Sequence, residues 1–215
     1  MNTDLFFITS VINTGIKPWT YTMTRSIYSP EQRLEQTISE TISSIRSYHP
    51  TSKILLVECS ELPEEYEMKL RIYSDYYINL YEDKEVRSAC IDSNKKGYGE
   101  VMLTLRALDY IKNNNITFNK MFKISGRYYL TKDFKHSNFS DSLYTFNNKN
   151  STVLYSIPHN LLEDFYIQMS NIKTEYERSS SLGLENILPK IEPKETISLL
   201  GVAGLVAIDH SFYIA

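Results

Sequence analysis

The chain has 215 residues, 42% of them hydrophobic and 23% charged, enough for one globular domain with a sizeable buried core. A formal net charge of -3, from 23 basic and 26 acidic residues, excludes the basic excess that nonspecific nucleic-acid binding requires. Cys59 and Cys90 are too few for a disulfide framework and lack metal-ligand spacing, so a reducing cytoplasm is the expected location.

The N-terminal MNTDLFFITSVI has neither the basic start nor the apolar length of a signal peptide. Leu5 to Val11 is apolar, β-branched and non-alternating, which predicts a buried first strand, stopped by Asn13-Thr14-Gly15. The stretch from Ile16 to Tyr28 reads as a long loop, functional or packed. Ser29-Pro30-Glu31-Gln32 is a helix start, with Ser29 as cap, Pro30 at the first position and Gln32 closing a capping box. Leu34, Ile38, Ile42, Ile45 and Tyr48 then give one apolar face, until His49-Pro50. Lys53 to Val57 predicts a second strand with Glu58 at its carboxyl end, Pro63 to Ser74 a helix, and Tyr76 to Leu80 a short strand.

Tyr81 to Lys96 is polar and reads as a loop over the sheet edge. Gly97-Tyr98-Gly99 opens a further helix, with Met102, Leu105, Ala107, Leu108 and Ile111 on its apolar face and Asn113-Asn114-Asn115 at its end. The apolar run from Ile116 to Ile124 predicts a strand that delivers Ser125-Gly126-Arg127 to the sheet edge, where open α/β sheets bind ligands. Beyond it, Thr152 to Ile157 suggests a strand, Leu161 to Glu177 a helix and Leu182 to Leu188 a short helix. Ile197 to Ala207, broken by Gly201 and Gly204, suggests a late strand or turn packed under the site. The most apolar stretch here, Ile197 to Ile208, is roughly half the ~20 residues of a membrane span. Strands alternating with helices predict an α/β fold with a mainly parallel sheet, as a single domain over residues 1–215.

Lys95-Lys96-Gly97-Tyr98-Gly99-Glu100 couples two lysines and two glycines to a helix N-terminus, which fits a diphosphate cradle or an ordinary Gly-rich loop. Arg127 suits bidentate phosphate or carboxylate binding, or a structural ion pair. Lys123 alternates with Phe122 and Ile124, pointing to the opposite face and a structural role. Arg106 reads as a surface salt bridge. Glu100 fits either catalysis or a dipole-favoured carboxylate in the first helical turn. Glu58 fits a ribose or base contact, or a loop carboxylate. His159 and Asp209-His210 are the remaining groups for metal or acid/base work.

FFITSV, the block RSIYSPEQRLEQTISETISSIRSYHPTSKILLVECS, KGYGE and FKISGRYYL together resemble small GT-A-type glycosyltransferase domains. These occur in large DNA viruses of algae, as in the N-terminal domain of a chlorella-virus multidomain protein, and in bacterial surface-polysaccharide clusters. The resemblance runs from about Phe6 to Tyr129 and weakly to GVAGLVAIDHSFY. It implies a GT-A-like (Rossmann-like) fold, with a donor-binding half over about 1–130 and an acceptor-side half over about 131–215. It implies transfer of a sugar from a nucleotide-diphosphate donor, usually a uridine diphosphate sugar, to a glycan or glycoprotein acceptor, with a lean towards retention. It also allows a larger multidomain chain, and the cytoplasm of a host if the source is viral.

By position, Thr9, Ser10 and Val11 would line the nucleoside, Glu58 the base or ribose, and Lys96 and Gly97 the diphosphate or sugar. Ser125 and Gly126, with Arg127, take the place of the family's metal-binding Asp-x-Asp. Mn²⁺ or Mg²⁺ is therefore implied by the family but lacks its carboxylate pair here. Either Arg127 and the lysines neutralise the diphosphate, or Asp209 and His210 supply metal ligands. Arg127 and Glu100 are the catalytic candidates. Two other functions fit a similar sheet: a sugar nucleotidyltransferase, and a non-catalytic domain binding glycans or a partner.

Overall fold

The computed structural model describes residues 3–16, 18, 24–147, 151–178, 184, 188–209 and 211–215. The first strand, β1 (Leu5–Ser10), is buried along its length. It pairs in parallel with β2 (Lys53–Glu58) on one side and β4 (Lys120–Ser125) on the other. With β3 (Tyr76–Asn79), β6 (Tyr144–Asn147), β7 (Leu154–Pro158) and β8 (Lys194–Ile197) they form a seven-stranded sheet in the order β3-β2-β1-β4-β7-β6-β8. Strands β3, β2, β1 and β4 run parallel, and β7 is antiparallel to both of its neighbours. The sheet is mostly parallel and flanked by helices, as the alternation of elements predicts.

Side chains of β1 alternate between two cores. Leu5 and Phe7 face the layer of α5 (Lys96–Asn113) and α6 (Leu162–Arg178). Phe6 and Ile8 face the layer of α1 (Pro30–Glu35), α2 (Ser43–Tyr48) and α3 (Glu64–Tyr73). A period of two along a strand produces this division, and a strand buried on both faces needs the unbroken apolar run seen in the sequence.

The capping box is present: Ser29 Oγ accepts from Gln32 N at 3.3 Å and Gln32 Oε1 accepts from Ser29 N at 2.9 Å. The single helix expected after it is interrupted by a π-helical segment, Gln36–Ile42. Its i→i+5 turns rotate later residues off the 3.6-residue register. Tyr48, expected on the buried face, is consequently 47% exposed, while Thr37 and Thr41 are buried.

The expected loop from Tyr81 to Lys96 contains α4 (Lys84–Arg87), followed by a π turn over Ser88–Asp92. Asp83 starts α4 by accepting from Glu85 N and Val86 N at 3.0 and 3.2 Å, a capping signal hidden in a charge-rich stretch. Strand β4 begins four residues later than the apolar run suggests, because Ile116 and Phe118 are buried in the core without joining the ladder. The late GVAGL stretch forms β9 (Val202–Leu205). With β5 (Tyr128–Leu130) and β10 (Phe212–Ile214) it makes a small antiparallel sheet in the order β10-β9-β5. Gly204 is required where it crosses β5, since a Cβ there would lie 2.6 Å from Arg127 O. The short helix expected over Leu182 to Leu188 falls largely outside the described residues.

Candidate functional site

The order β2-β1-β4 places a topological switch between β1 and β4: the chain winds away from β1 through β2 and returns on its other side at β4. In such sheets ligands bind beyond the carboxyl ends of the two switch strands. A solvent-open cleft of about 900 Å³ lies there. Thr9, Ser10 and Val11 come from β1 and its end, Ser125, Gly126 and Arg127 from the end of β4, and Glu100 from α5. Seven of the positions singled out in the sequence are therefore brought together. Val206, Ala207 and Ile208, just beyond β9, add a wall, as expected for a late segment under the site.

Local bonding fixes the floor. Gly126 N donates to Thr9 O at 2.9 Å, and Thr37 Oγ1, carried by the π segment, donates to Gly126 O at 2.7 Å. A Cβ on Gly126 would approach Thr37 Oγ1 to 3.1 Å, so glycine suits this close crossing. Lys123 lies on the sheet face opposite Phe122 and Ile124, as the alternation predicts. Its side chain is fully buried but points to the cleft side, where Nζ donates to Glu100 Oε1, to Ser125 Oγ at 3.1 Å and to Thr152 O at 2.9 Å. The register pairs Lys123 with Phe7 and Ser125 with Thr9, so these four residues share one face. Glu100 lies in the second turn of α5 rather than the first, and its carboxylate is held by Lys123.

Three arginines line the cleft: Arg25, Arg33 and Arg127. Only Arg127 is expected from sequence. Arg25 and Arg33 come from the long loop and from α1, where no motif marks them. Their signal is burial, at 4% and 8% exposure, unusual for a charged side chain. Arg25 donates to the carbonyls of Cys90 and Ser93 at 2.6 and 2.5 Å. Arg33 Nε donates to Val11 O at 3.0 Å, and its NH1 donates to Ser26 Oγ at 3.4 Å. Burial, with further repulsion from Arg127, pushes the Arg33 guanidinium down to about 10. Arg127 stacks its guanidinium 5.0 Å from the centre of the Tyr128 ring, and its buried Nε has no hydrogen-bond partner. None of the ion pairs among the described residues involves Arg33 or Arg127.

Other expected site residues sit elsewhere. Glu58 is wholly buried beneath the cleft, outside its lining. Its Oε1 accepts from Ile12 N and Cys59 N, both at 3.0 Å, and from Ser60 Oγ at 2.5 Å. It braces the turn after β1, and burial raises its pKa against these hydrogen bonds. Gly97 also lies outside the lining. It admits Tyr176 of α6, whose hydroxyl would be 2.1 Å from a Cβ, and Gly99 admits the backbone of Cys90 at 3.1 Å. Gly97 thus serves helix packing, while Gly99 makes room for Cys90 and also lines the cleft. Lys96 is the first residue of α5, and its side chain lies outside the described part of the structure.

Arg106 forms the expected surface ion pairs, to Asp83 and Glu85 at 2.8 and 2.9 Å. His159 packs edge-on against Phe118, away from the cleft. Asp209 is exposed, with Oδ1 accepting from Ser211 N and Oγ; His210 lies outside the described residues. The described lining offers one carboxylate, already bound to Lys123, beside three guanidinium groups. A hard divalent cation wants several oxygen ligands and an electronegative site, so these residues do not fit the metal that the resemblance implies.

No family model matches the sequence, and no curated protein matches it. Solved structures do match in fold. The glycosyltransferase GlyE of Streptococcus pneumoniae TIGR4 aligns with a TM-score of 0.50 at 11% identity over 92% of this chain and 45% of its own. Its apo form aligns at 0.51 and 12% identity over 87% and 42%. A glycosyltransferase involved in glycosylating the major capsid of PBCV-1 aligns at 0.43 and 9% over 91% and 80%. The chain therefore has a GT-A-like fold, and it spans less than half the length of GlyE.

Proposed function

We propose that the chain is a glycosyltransferase that holds a nucleoside-diphosphate sugar, a uridine diphosphate sugar foremost, across the carboxyl ends of β1 and β4. One observation carries this reading: Arg33 and Arg127 bring two buried or half-buried charges to the switch-point cleft with no described carboxylate in direct ion-pair contact, the buried Glu58 acting on Arg33 only at longer range. A diphosphate supplies the missing anion, and guanidinium groups bind its oxygens bidentately. Thr9, Ser10 and Val11 line the nucleoside end, with Ser125 and Gly126 beside the sugar. Residues from about 131 onward face a glycan acceptor.

In the reaction, the bond between the anomeric carbon and the diphosphate oxygen breaks, and its electron pair leaves with the nucleoside diphosphate. Arg127 and Arg33 stabilise that developing charge, a preorganised electrostatic role. The acceptor hydroxyl forms the new bond and passes its proton to the Glu100 carboxylate. Glu100 is the carboxylate placed to act at the reacting centre, and Lys123 holds it in position. The test is a panel of nucleotide sugars with and without Mn²⁺. The expected result is a rise in Tm and slow donor hydrolysis with a subset of donors. Arg127→Ala should weaken uridine diphosphate binding by about 10–100-fold, the value of a charge-assisted contact. No Tm shift and no turnover with any donor would overturn the reading. Pyrophosphate release from a nucleoside triphosphate and a sugar phosphate would replace it with nucleotidyl transfer.

A further inference from the structure

The end of the sheet opposite the cleft carries a second cluster of ionisable side chains. Asp4 immediately precedes β1, His49 follows α2, and His136 lies in a short 3-10 turn, His136–Asn138. Both imidazoles present Nε2 to the same carboxylate oxygen, Asp4 Oδ2, at 3.2 Å from His49 and 2.8 Å from His136. One ligand atom from each residue falls within 4.8 Å of the others. We propose that Asp4, His49 and His136 bind a divalent transition-metal ion of the zinc class.

Three features support a cation here. The donor set is two imidazole nitrogens and one carboxylate, which suits zinc, cobalt, nickel or ferrous iron and not magnesium or calcium. Three protein ligands with a fourth position open to water complete a tetrahedral zinc site, and the 43% exposure of His136 leaves that approach open.

The ligands are also preoriented. Asp4 Oδ1 accepts from Lys120 N at 3.2 Å, which turns Oδ2 towards the histidines. The His49 ring is held against Phe6, Phe122 and Phe134 at centroid distances of 5.8, 6.3 and 6.4 Å, and His136 lies 5.7 Å from Phe122. Second-partner hydrogen bonds and an apolar wall are the usual support of a metal ligand set. Finally, the neighbouring cation Lys120 has its own counter-groups, Asp141 at 2.9 Å and the carbonyl of Phe139.

The ligands come from three stretches far apart in the chain, so a bound ion cross-links the start of β1, the α2–β2 corner and the segment after β5. Strand β1, Leu5–Ser10, at about 3.3 Å per residue separates this ion from the cleft by about 20 Å. The ion is therefore structural and touches no donor, and the proposal stands independently of glycosyl transfer.

The experiment uses untagged full chain, stripped with chelator and titrated with Zn²⁺ and Co²⁺. One equivalent of Zn²⁺ is expected to bind and, at about a hundredfold excess over its Kd, to raise Tm by about 5–10 °C. Co²⁺ is expected to develop visible absorption. His136→Gln and Asp4→Asn should each lose at least tenfold in Zn²⁺ affinity, with uridine diphosphate binding unchanged. Should Asp4→Asn fail to fold, the half-exposed His136 still gives a readable variant, checked by circular dichroism. Absence of stoichiometric Zn²⁺ binding below about 100 μM, where RT ln Kd is only about -5 kcal/mol, would overturn the proposal. So would binding unaffected by His136→Gln. Either result would leave two imidazole N–H groups hydrogen-bonded to one carboxylate.

Discussion

Arg33→Met tests the charge argument most directly, because it should strengthen the fold while removing the ligand. The side chain is 8% exposed, and burial, then repulsion from Arg127, lowers its pKa from the ordinary arginine range to about 10. At 1.36 kcal/mol per pH unit, holding it charged costs the ligand-free protein about 3 kcal/mol at neutral pH. The sign follows from the cationic form being the one disfavoured. The cost is complete below about 10 and disappears as pH rises towards the ordinary value of an unfolded arginine. Methionine keeps much of the volume without the charge. It gives up the bonds to Val11 O at 3.0 Å and Ser26 Oγ at 3.4 Å, about 1 kcal/mol each. The balance is a gain of about 1 kcal/mol, or a Tm rise of about 2–4 °C for a chain of this size, where truncating a buried, well-paired residue would lower it. Uridine diphosphate affinity, read by calorimetry, should fall by about 10–100-fold, the worth of a hydrogen bond to a charged group. A Tm drop of several degrees with unchanged affinity would refute the reasoning, since Arg33 would then be a satisfied structural cation.

Glu100→Gln should lower turnover of a responsive donor by about 10²–10⁴-fold, the span of general acid–base contributions, with donor affinity within a few-fold; equal loss of both in steady-state and binding assays would assign Glu100 to structure. Gly97→Ala should cost about 1–3 kcal/mol through overpacking, because the new Cβ meets Tyr176 Oη at 2.1 Å. A double-mutant cycle with Tyr176→Phe, read by urea unfolding, should recover much of that loss. Burial raises the Glu58 pKa above the unfolded value. The folded state then keeps a proton that the unfolded state releases, so this group's contribution to stability falls as pH climbs above about 4.3. Glu58→Gln should flatten that fall in Tm-against-pH curves, and an unchanged slope would show that Glu58 is not its source.

The strands were legible because burial on both faces leaves unbroken apolar runs in β1, β2 and β4. The start of α1 was legible because Ser29, Pro30 and Gln32 form a local hydrogen-bond pattern. The end of β4 was legible for a chemical reason: glycine and arginine close an apolar strand where the fold opens to solvent. What sequence did not reveal depends on contacts between distant segments. The π turns from Gln36 to Ile42 answer tertiary packing, and no residue spacing announces them. Gly97 and Gly99 read as a ligand cradle, but α6 fills the space over Gly97, and only Gly99, packed on Cys90, lines the cleft. Arg25 and Arg33 carry no motif, and only their burial in one cleft marks them. Lys123 alternates as its neighbours predict, but its partner comes from elsewhere in the chain, since an extended lysine can return its ammonium to a carboxylate on the helix above its own strand.

The charge balance of the cleft explains how a GT-A-like sheet can lack paired carboxylates at β4. An Asp-x-Asp pair with a divalent ion is close to neutral before the donor arrives, and the ion then carries the attraction. Here the Glu100–Lys123 pair is also neutral as a unit, while Glu58 is kept from easy ionisation by burial. That leaves Arg33 and Arg127 as net positive charge facing the opening. Two guanidinium groups match a diphosphate in charge and in hydrogen-bonding geometry, but they repel one another until the anion sits between them. Under the proposed function, a bound diphosphate would relieve a cost already present in the folded protein, so part of the attraction would come from the fold itself. Such a site needs neither a second carboxylate nor a cation at the strand end. Aspartate in place of Ser125 would bring its charge beside Lys123 Nζ, which Ser125 Oγ already contacts at 3.1 Å, and would draw the ammonium away from Glu100. On this reading the serine of Ser-Gly-Arg preserves the Lys123–Glu100 pair, and the arginine supplies the charge that a metal supplies elsewhere.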